Sequence, residues 1–178
     1  MRLFCCQAHS SAIVPSTIPS FSIVADSSTA TGLKWAAPAA GGKVLQVVYG
    51  SSATDTSNAT STYADTTLSA SITPSSATSK VLVLVNQNGV GKTTNNTTIE
   101  LKLLRGATDL INMDLIAANT NNNNINFIGS ISSSYLDEPA TTSSTTYKTQ
   151  FRSSANLSQV SVQGAASRST MVLLEIGA

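Results

Sequence analysis

The stretch of this chain whose residue types come nearest to a known chemical site is Asn88-Gly-Val-Gly-Lys-Thr-Thr, which follows the apolar run VLVLV. Glycine amides, a lysine and a threonine in this order can hold phosphates and a magnesium ion. That motif also needs a glycine at position 86, where this chain has Asn86, and it must open a helix. The residues that follow, NNTTIELKLL, are typical of a polar turn and a strand. The sequence therefore predicts no nucleotide site, and it predicts a hairpin in which the glycines connect two core strands.

A second candidate for chemistry is the acidic pair Asp137-Glu138, which precedes Pro139. Two carboxylates can serve a glycosidase or bind calcium. Neighbouring residues of an extended segment point in opposite directions, so this pair is poorly placed for shared catalysis. The combination of Asp and Pro is also typical of turns. We therefore interpret these residues as a solvated turn.

The other groups that could act as base, nucleophile or metal ligand lie near the start of the chain. His9 is the single histidine, and Cys5 and Cys6 are the two cysteines. A Ser-His-Asp triad needs its histidine in the domain that carries the other two groups, and one His with two adjacent Cys is an incomplete zinc set. The sequence thus predicts no catalytic residue, no cofactor and no metal site, and hence a protein that is not an enzyme.

Charge is scarce in this chain. Charged residues make up 11% and the formal net charge is +1, whereas an average soluble protein has about 25% charged residues. So small a net charge gives no electrostatic attraction for nucleic acid, and no apolar run is long enough to insert into a membrane. Because few charges repel neighbouring copies, the composition suits a subunit that packs against itself.

From Lys43 onward, short apolar blocks alternate with spacers of Ser, Thr, Asn and Gly. Blocks rich in Val, Ile, Leu and Thr between turn-forming residues are typical of strands, and no segment has a helical period. We therefore predict an all-β fold, an antiparallel β-sandwich of jelly-roll type. The predicted strands are 43–49, 68–73, 80–87, 97–104, 109–117, 125–133, 145–153, 157–163 and 170–176.

Residues 1–40 have a different composition from the rest, with three of the five prolines and a Gly-Gly pair just after them. Such a segment is predicted to be an extended arm or linker without a core of its own, followed by the sandwich domain over residues 41–178. The arm holds the single tryptophan, Trp35. We expect this side chain to contact the body or a neighbouring subunit, because isolated aromatic residues usually bury area.

Loops at one end of the sandwich are the expected binding surface, because Ser, Thr and Asn form adaptable hydrogen bonds that suit sugars. The candidate loops are 51–62, 89–97, 119–124 and 137–144. Tyr49, Tyr63 and Tyr135 could supply stacking surfaces, although such tyrosines often fill the edge of a sandwich. The candidate binding residues are Tyr63, Asn121, Asn122, Tyr135 and Asp137.

Several stretches resemble a virion module found in tail-fibre and other structural proteins of phages, marine podoviruses and their relatives among them. The stretch DSSTATGLKWAAPAAGGKVLQVV is similar to a junction at which a fibre shaft passes into a globular tip. The strands and turns of such a tip are resembled by LSASITPSSATSKVLVLVN, LKLLRGATDL, SYLDEPATTSSTTYKTQFRSS and MVLLEIGA, so the resemblance covers residues 22–178. It implies a jelly-roll β-sandwich, often trimeric, that is located in the virion.

The first functional hypothesis is a non-enzymatic virion structural protein, a homotrimeric tail-fibre tip that contacts a host-surface glycan or protein. Only residues 1–40 precede the body, whereas fibres of this kind carry a long shaft. A capsid decoration or connector protein, held to other virion proteins by its N-terminal arm, is therefore the alternative. A fibre-borne depolymerase is the third hypothesis, and the scarcity of carboxylates disfavours it.

Overall fold

The computed structural model describes residues 22–25, 33–36, 42–93, 96–120 and 124–178. The chain divides into two compact units, Met1–Ala40 and Gly41–Ala178, and the second is here termed the body. The described residues of the first unit form an antiparallel strand pair, β1 (Ser22–Ala25) and β2 (Leu33–Ala36). The remainder of the predicted arm lies outside the described residues.

The described part of the body is built almost entirely of strands. Its one helical segment is a 3₁₀ turn at Gly164–Ala166, so no described helix could cross a membrane. The strands are, in chain order, β3 (Val44–Ser52), β4 (Thr56–Asn58), β5 (Ala64–Ile72), β6 (Lys80–Lys92), β7 (Ile99–Arg105), β8 (Thr108–Ala117), β9 (Asn126–Asp137), β10 (Thr145–Ser153), β11 (Val160–Val162) and β12 (Ser169–Ile176).

These strands form two antiparallel sheets. The six-stranded sheet places β9 on one side of β6 and β12 on the other, and β3 follows β12. The short β11 lies beside the last residues of β6 and pairs with β4. The four-stranded sheet has the order β5-β10-β7-β8. Two antiparallel sheets around a shared apolar core confirm the prediction of an all-β sandwich.

The eight long strands pass between the sheets in a regular way. From β3 to β12, each step from one long strand to the next changes sheet, except the step from β7 to β8. Those two strands form the predicted tight hairpin, with Gly106 at a φ of 58° in its turn. The two ends of the sandwich follow from these pairings. We term the end where β6 stops at Lys92 the upper end, and the end where β3 begins at Val44 the lower end.

Alternating residues of the facing strands form the core. In β5 and β12 every second residue is buried, as a strand between core and solvent requires. The buried side chains form two apolar clusters, one around Leu68, Val83 and Tyr147 and the other around Val90 and Phe151. The first cluster lies towards the lower end and the second towards the upper end.

A line of polar side chains crosses the interior between the two sheets. Thr149 on β10 donates a hydrogen bond of 3.0 Å to the Gln87 side-chain oxygen on β6, and Gln87 donates one of 3.0 Å to the Ser169 hydroxyl on β12. The hydroxyl of Thr66 on β5 bonds to that of Thr149. These four side chains are fully buried, and their mutual bonds satisfy polar groups that would otherwise be costly to bury.

The predicted glycine hairpin after residue 87 is wrong, because β6 continues through Gly89 and Gly91 to Lys92. The pairing with β9 shifts register around Val90, and the Phe127 ring lies so close that a Cβ on Gly91 would overlap it. Glycine is thus needed at this position for close approach and not for chain reversal. The next described element is the strand β7, so the helix that a phosphate-binding loop requires does not follow.

Candidate functional site

The predicted binding loops do not gather at one end of the sandwich. Loop 51–62 lies at the upper end, where β3 and β6 stop and β9 starts, as do the described residues of loop 119–124 and those of loop 89–97 that follow β6. The 137–144 loop joins β9 to β10 at the lower end. The expectation of a single four-loop surface is therefore wrong, since the antiparallel pairing sends β9 downward.

Tyr63 lies just before β5, over the outer side of the four-stranded sheet. The Lys102 ammonium is 4.1 Å and the Arg152 guanidinium 4.7 Å from the centre of its ring. Its hydroxyl donates a bond of 3.3 Å to Glu100. Burial raises the pKa of the Tyr63 phenol, Arg152 opposes that rise, and Glu100 adds to it. These cation–π contacts hold the Tyr63 ring against charged side chains of the four-stranded sheet.

Tyr135 and Asp137 both belong to β9. Tyr135 is half-buried and packs against the lower apolar cluster. Asp137 was predicted in a solvated turn, which is wrong, because the strand extends to it and the carboxylate is buried. Arg105 donates bonds of 2.9 and 2.8 Å to its two oxygens, and the Tyr147 hydroxyl donates one of 2.6 Å. These partners both belong to the other sheet. They donate to the carboxylate the hydrogen bonds that water would donate in an exposed turn.

For three further residues that were predicted to make binding or arm contacts, the structure describes no side chain. Asn121 and Asn122 lie outside the described residues, as does the side chain of Trp35. The backbone of Trp35 belongs to β2, opposite Ile23. Their binding and contact roles remain predictions.

The largest surface that sequence reasoning missed is the outer face of the six-stranded sheet. Strand register places Val47, Leu174, Leu82 and Leu136 side by side in one row across four strands. The next row up contains Tyr49, Val172, Leu84 and Ser134. We term the seven apolar residues of these two rows the apolar face: Val47, Tyr49, Leu82, Leu84, Leu136, Val172 and Leu174.

Much of the apolar face is open to solvent. Val47 and Tyr49 are each 61% exposed, Leu136 is 50% exposed and Leu84 is 40% exposed. Strands about 4.8 Å apart and alternate residues about 6.8 Å apart give the two rows an area of about 260 Å². A patch of that size is close to the largest apolar patch of an ordinary soluble monomer, and such patches are often functional. The sequence does contain a signal for this surface, because VLVLV and MVLL are apolar at both alternating sets of positions.

The next row up the same face is polar. It consists of Ser51, Thr170, Asn86 and Ser132, and the Ser132 hydroxyl donates a bond of 3.1 Å to Asn86. This row separates the apolar face from the bulged part of β6 at the upper end.

The outer face of the four-stranded sheet carries ion pairs instead. Lys148 bonds to Asp65 at 2.9 Å, Lys102 to Asp109 at 2.8 Å, and Arg152 to Glu100 at 2.7 Å. Although burial alone would raise the pKa of Asp65, its bonds from Gln150 and Lys148 outweigh it and lower that pKa. We term this surface the charged face: Asp65, Glu100, Lys102, Asp109, Lys148, Gln150 and Arg152.

The buried acids of the body are engaged in structural bonds. Glu175 on β12 accepts bonds from Gln46 and from the backbone and hydroxyl of Ser75, at 2.6 to 2.7 Å. Burial by itself raises the pKa of Glu175, but these hydrogen bonds outweigh it and hold the pKa at about 2. Burial and the bond to Asp137 raise the pKa of Tyr147. Among the described residues, no group of three His, Cys, Asp or Glu side chains could hold a metal ion.

Comparison with known proteins adds no assignment to this geometry. The chain matches no protein-family model and no curated protein sequence.

Proposed function

We propose that this chain is a non-enzymatic structural subunit that assembles with further copies of itself through the apolar face. The observation that carries the proposal is the pair of apolar rows on the outer side of the six-stranded sheet, exposed and without a charged residue. Support also comes from the acids Asp137 and Glu175, whose oxygens bond to neighbouring protein groups.

The occupant of the apolar face is proposed to be a second copy of the chain. A standard interface buries about 800 Å² on each partner, with an apolar centre and a polar rim. The two rows supply an apolar centre of about 260 Å². One side of the rim is supplied by Ser51, Thr170, Asn86 and Ser132. Because the face has no charge, two copies can meet without leaving an ion unpaired.

The finer fold assignment belongs to the same proposal. Jelly rolls have eight strands in two sheets built from two Greek keys. The eight long strands of the body, with sheet orders β3-β12-β6-β9 and β5-β10-β7-β8, support a jelly roll, as does the crossing of all connections except β7 to β8.

The setting that we propose is the virion, on the strength of the resemblance of residues 22–178 to a phage fibre-tip module. A homotrimeric tip that contacts the host surface is the first form of this proposal. A capsid decoration or connector protein, anchored by residues 1–40, is the second. Averaged electron images of particles separate the two forms, since a tip is present in a few copies at the tail and a decoration protein in many copies on the shell.

The assembly proposal is tested with a matched pair of variants. Leu84→Glu places a charge in the centre of the apolar face, and Ser69→Glu places the same charge on the outer side of the four-stranded sheet. Sedimentation of the full chain is expected to show an oligomer for the parent and for Ser69→Glu. Leu84→Glu should be monomeric with an unchanged circular dichroism spectrum. A monomeric parent, or an oligomer unaffected by Leu84→Glu, would refute the proposal.

A further inference from the structure

A groove with a volume of about 570 Å³ opens at the upper end of the body, above the polar row. Its floor is the bulged part of β6 at Asn88 and Gly89. Phe127 and Ser130 on β9 form one wall, Gly164 and Ser167 in and beside the 3₁₀ turn form the other, and the two walls meet where the Phe127 ring lies against Gly164. The volume falls within the range of about 300–1,000 Å³ that is usual for small-molecule sites.

The backbone around this groove is packed too closely for larger residues. A Cβ on Gly89 would lie 2.3 Å from the Gly164 nitrogen, and Gly89 has a φ of 60°. Gln163, Ala165 and Ala166 also adopt left-handed conformations, with φ of 56°, 54° and 55°. Each of these costs of the order of 1 kcal/mol in a residue other than glycine. Such strain concentrated in one wall of a groove is typical of a binding site.

The aromatic wall is fixed and still accessible. The Phe127 ring lies against Gly91 and Gly164, which both lack side chains that would push it away. The residue nevertheless remains 52% exposed. Part of the ring is therefore available to a ligand in the groove without any rearrangement.

The polar groups of the groove are neutral. The Asn88 amide nitrogen donates a bond of 2.6 Å to the Arg168 carbonyl, which fixes the side chain and leaves its oxygen as the acceptor. Ser130 and Ser167 contribute hydroxyls, which can donate and accept. None of the described residues that line the groove is charged. The nearby Arg168 side chain bonds at 3.1 Å to Ser51 instead.

We propose that this groove binds a short uncharged oligosaccharide. A sugar ring has an apolar C–H surface that suits the Phe127 ring, and hydroxyls that suit an amide oxygen and serine hydroxyls. A charged ligand would find no counter-ion here, and a purely aliphatic ligand would desolvate Asn88 and the serines without bonding to them. The assignment rests on the host-surface part of the proposed function and does not depend on assembly.

The test uses the full chain and named sugars. Maltotriose, mannotriose, triacetylchitotriose and lactose are titrated at millimolar concentration, with sialyllactose as the anionic comparison, and binding is followed by saturation-transfer NMR. At least one neutral sugar is expected to bind, with an affinity that salt does not change. Phe127→Ala should weaken that binding about tenfold or more, since it removes the stacking surface.

Two further variants guard against a simple loss of folding. Ala165→Trp fills the groove from an exposed position while leaving Phe127 on Gly91, and it should also abolish binding. Ile128→Ala removes an exposed apolar side chain next to Phe127 but outside the groove, and it should bind as the parent does.

The outcomes are separable. Silence from all four neutral sugars, a preference for sialyllactose, or binding that survives both groove variants would overturn the assignment. Sedimentation of the same samples distinguishes the two proposals. A monomer that binds sugar retains the groove and refutes assembly, and an oligomer that binds none does the reverse.

Discussion

The two outer faces of the body are built on the same strand geometry and present opposite chemistry. Across four strands of the six-stranded sheet, the outward positions form the apolar face with Val47, Leu84 and Leu136. Across the four-stranded sheet, the outward positions form ion pairs such as Arg152 with Glu100. The inward positions of both sheets contribute side chains to the same two apolar clusters.

The two faces differ in how many of the chain's few charged residues they carry. With 11% charged residues in the chain, three ion pairs lie on the charged face, whereas the six-stranded sheet has its outward pair, Lys80 with Glu138, below the two apolar rows. A solvent-exposed sheet face is made soluble by such charges, whereas a face intended for contact excludes them. The contrast is what the proposed assembly requires, with the charged face towards water and the apolar face towards a second copy of the chain.

The largest effect on stability is expected at Asp137, whose bonds join the six-stranded sheet to the four-stranded sheet. Asp137→Ala leaves Arg105 on the other sheet without its carboxylate and Tyr147 without its acceptor. Stability should fall by about 3 kcal/mol, because breaking one side of a buried ion pair is strongly destabilising. Urea denaturation measures this. Glu138→Ala is the matched control, since its exposed pair with Lys80 should contribute little.

A smaller effect, which depends on pH, is expected from the buried acid Glu175. Its folded pKa of about 2 lies below the ordinary 4.5, so its contribution is complete above pH 4.5 and is lost as the pH falls towards 2. That contribution is up to about 3 kcal/mol, at about 1.4 kcal/mol per pKa unit. Denaturation at a series of pH values measures it. In Glu175→Gln this component of the acid sensitivity should disappear, and an unchanged profile would contradict the assignment.

The apolar face should show its effect in association and not in folding. Tyr49→Ser combined with Leu136→Ser is expected to weaken self-association about tenfold or more, since two exposed apolar side chains are lost from the contact. The unfolding midpoint in urea should stay nearly unchanged when it is measured at a protein concentration low enough for the parent to be monomeric. Lys148→Ser with Gln150→Ser alters the charged face by the same number of residues. Equal weakening by both pairs would show that the faces do not differ in the way proposed.

The smallest effect is expected on the charged face itself. Asp109→Asn removes the carboxylate that bonds to Lys102, and its side chain is 62% exposed. The loss of stability should be less than about 1 kcal/mol and should shrink further in high salt. A thermal melt at two salt concentrations checks this. A loss as large as that of Asp137→Ala would mean that this pair is structurally central.

The sequence predicted the strands whose position depends on the local pattern of apolar and polar residues. The strand predicted at 68–73 matches β5 up to its end at Ile72, where apolar residues alternate, and the strand predicted at 170–176 lies within β12, where the apolar run is nearly continuous. The pattern failed at Gly89 and Gly91, because glycines usually signal a turn. Only the Phe127 ring, distant in the chain, shows why β6 continues.

The site was less predictable for the same reason. The Asp-Glu-Pro stretch predicted a turn at Asp137. The prediction was wrong because Arg105 and Tyr147, which make the burial of Asp137 possible, come from other strands and leave no local signal. The apolar face exists only once β3, β12, β6 and β9 are in register, and no window of sequence contains all four. Sequence shows which residues alternate, whereas pairing decides which of them form one surface.

The buried bond between Gln87 and Thr149 also fixes how the two sheets are aligned. Sliding one sheet along its strands by two residues would keep apolar side chains facing inward, so apolar packing alone distinguishes poorly between such settings. After that slide, however, the Gln87 amide would meet hydrocarbon, at a cost of about 1–3 kcal/mol for an unbonded polar group. The hydrogen bond between the Gln87 amide and the Thr149 hydroxyl thus fixes the position of one sheet along the strand direction of the other. That position also determines which loops of the two sheets lie next to each other.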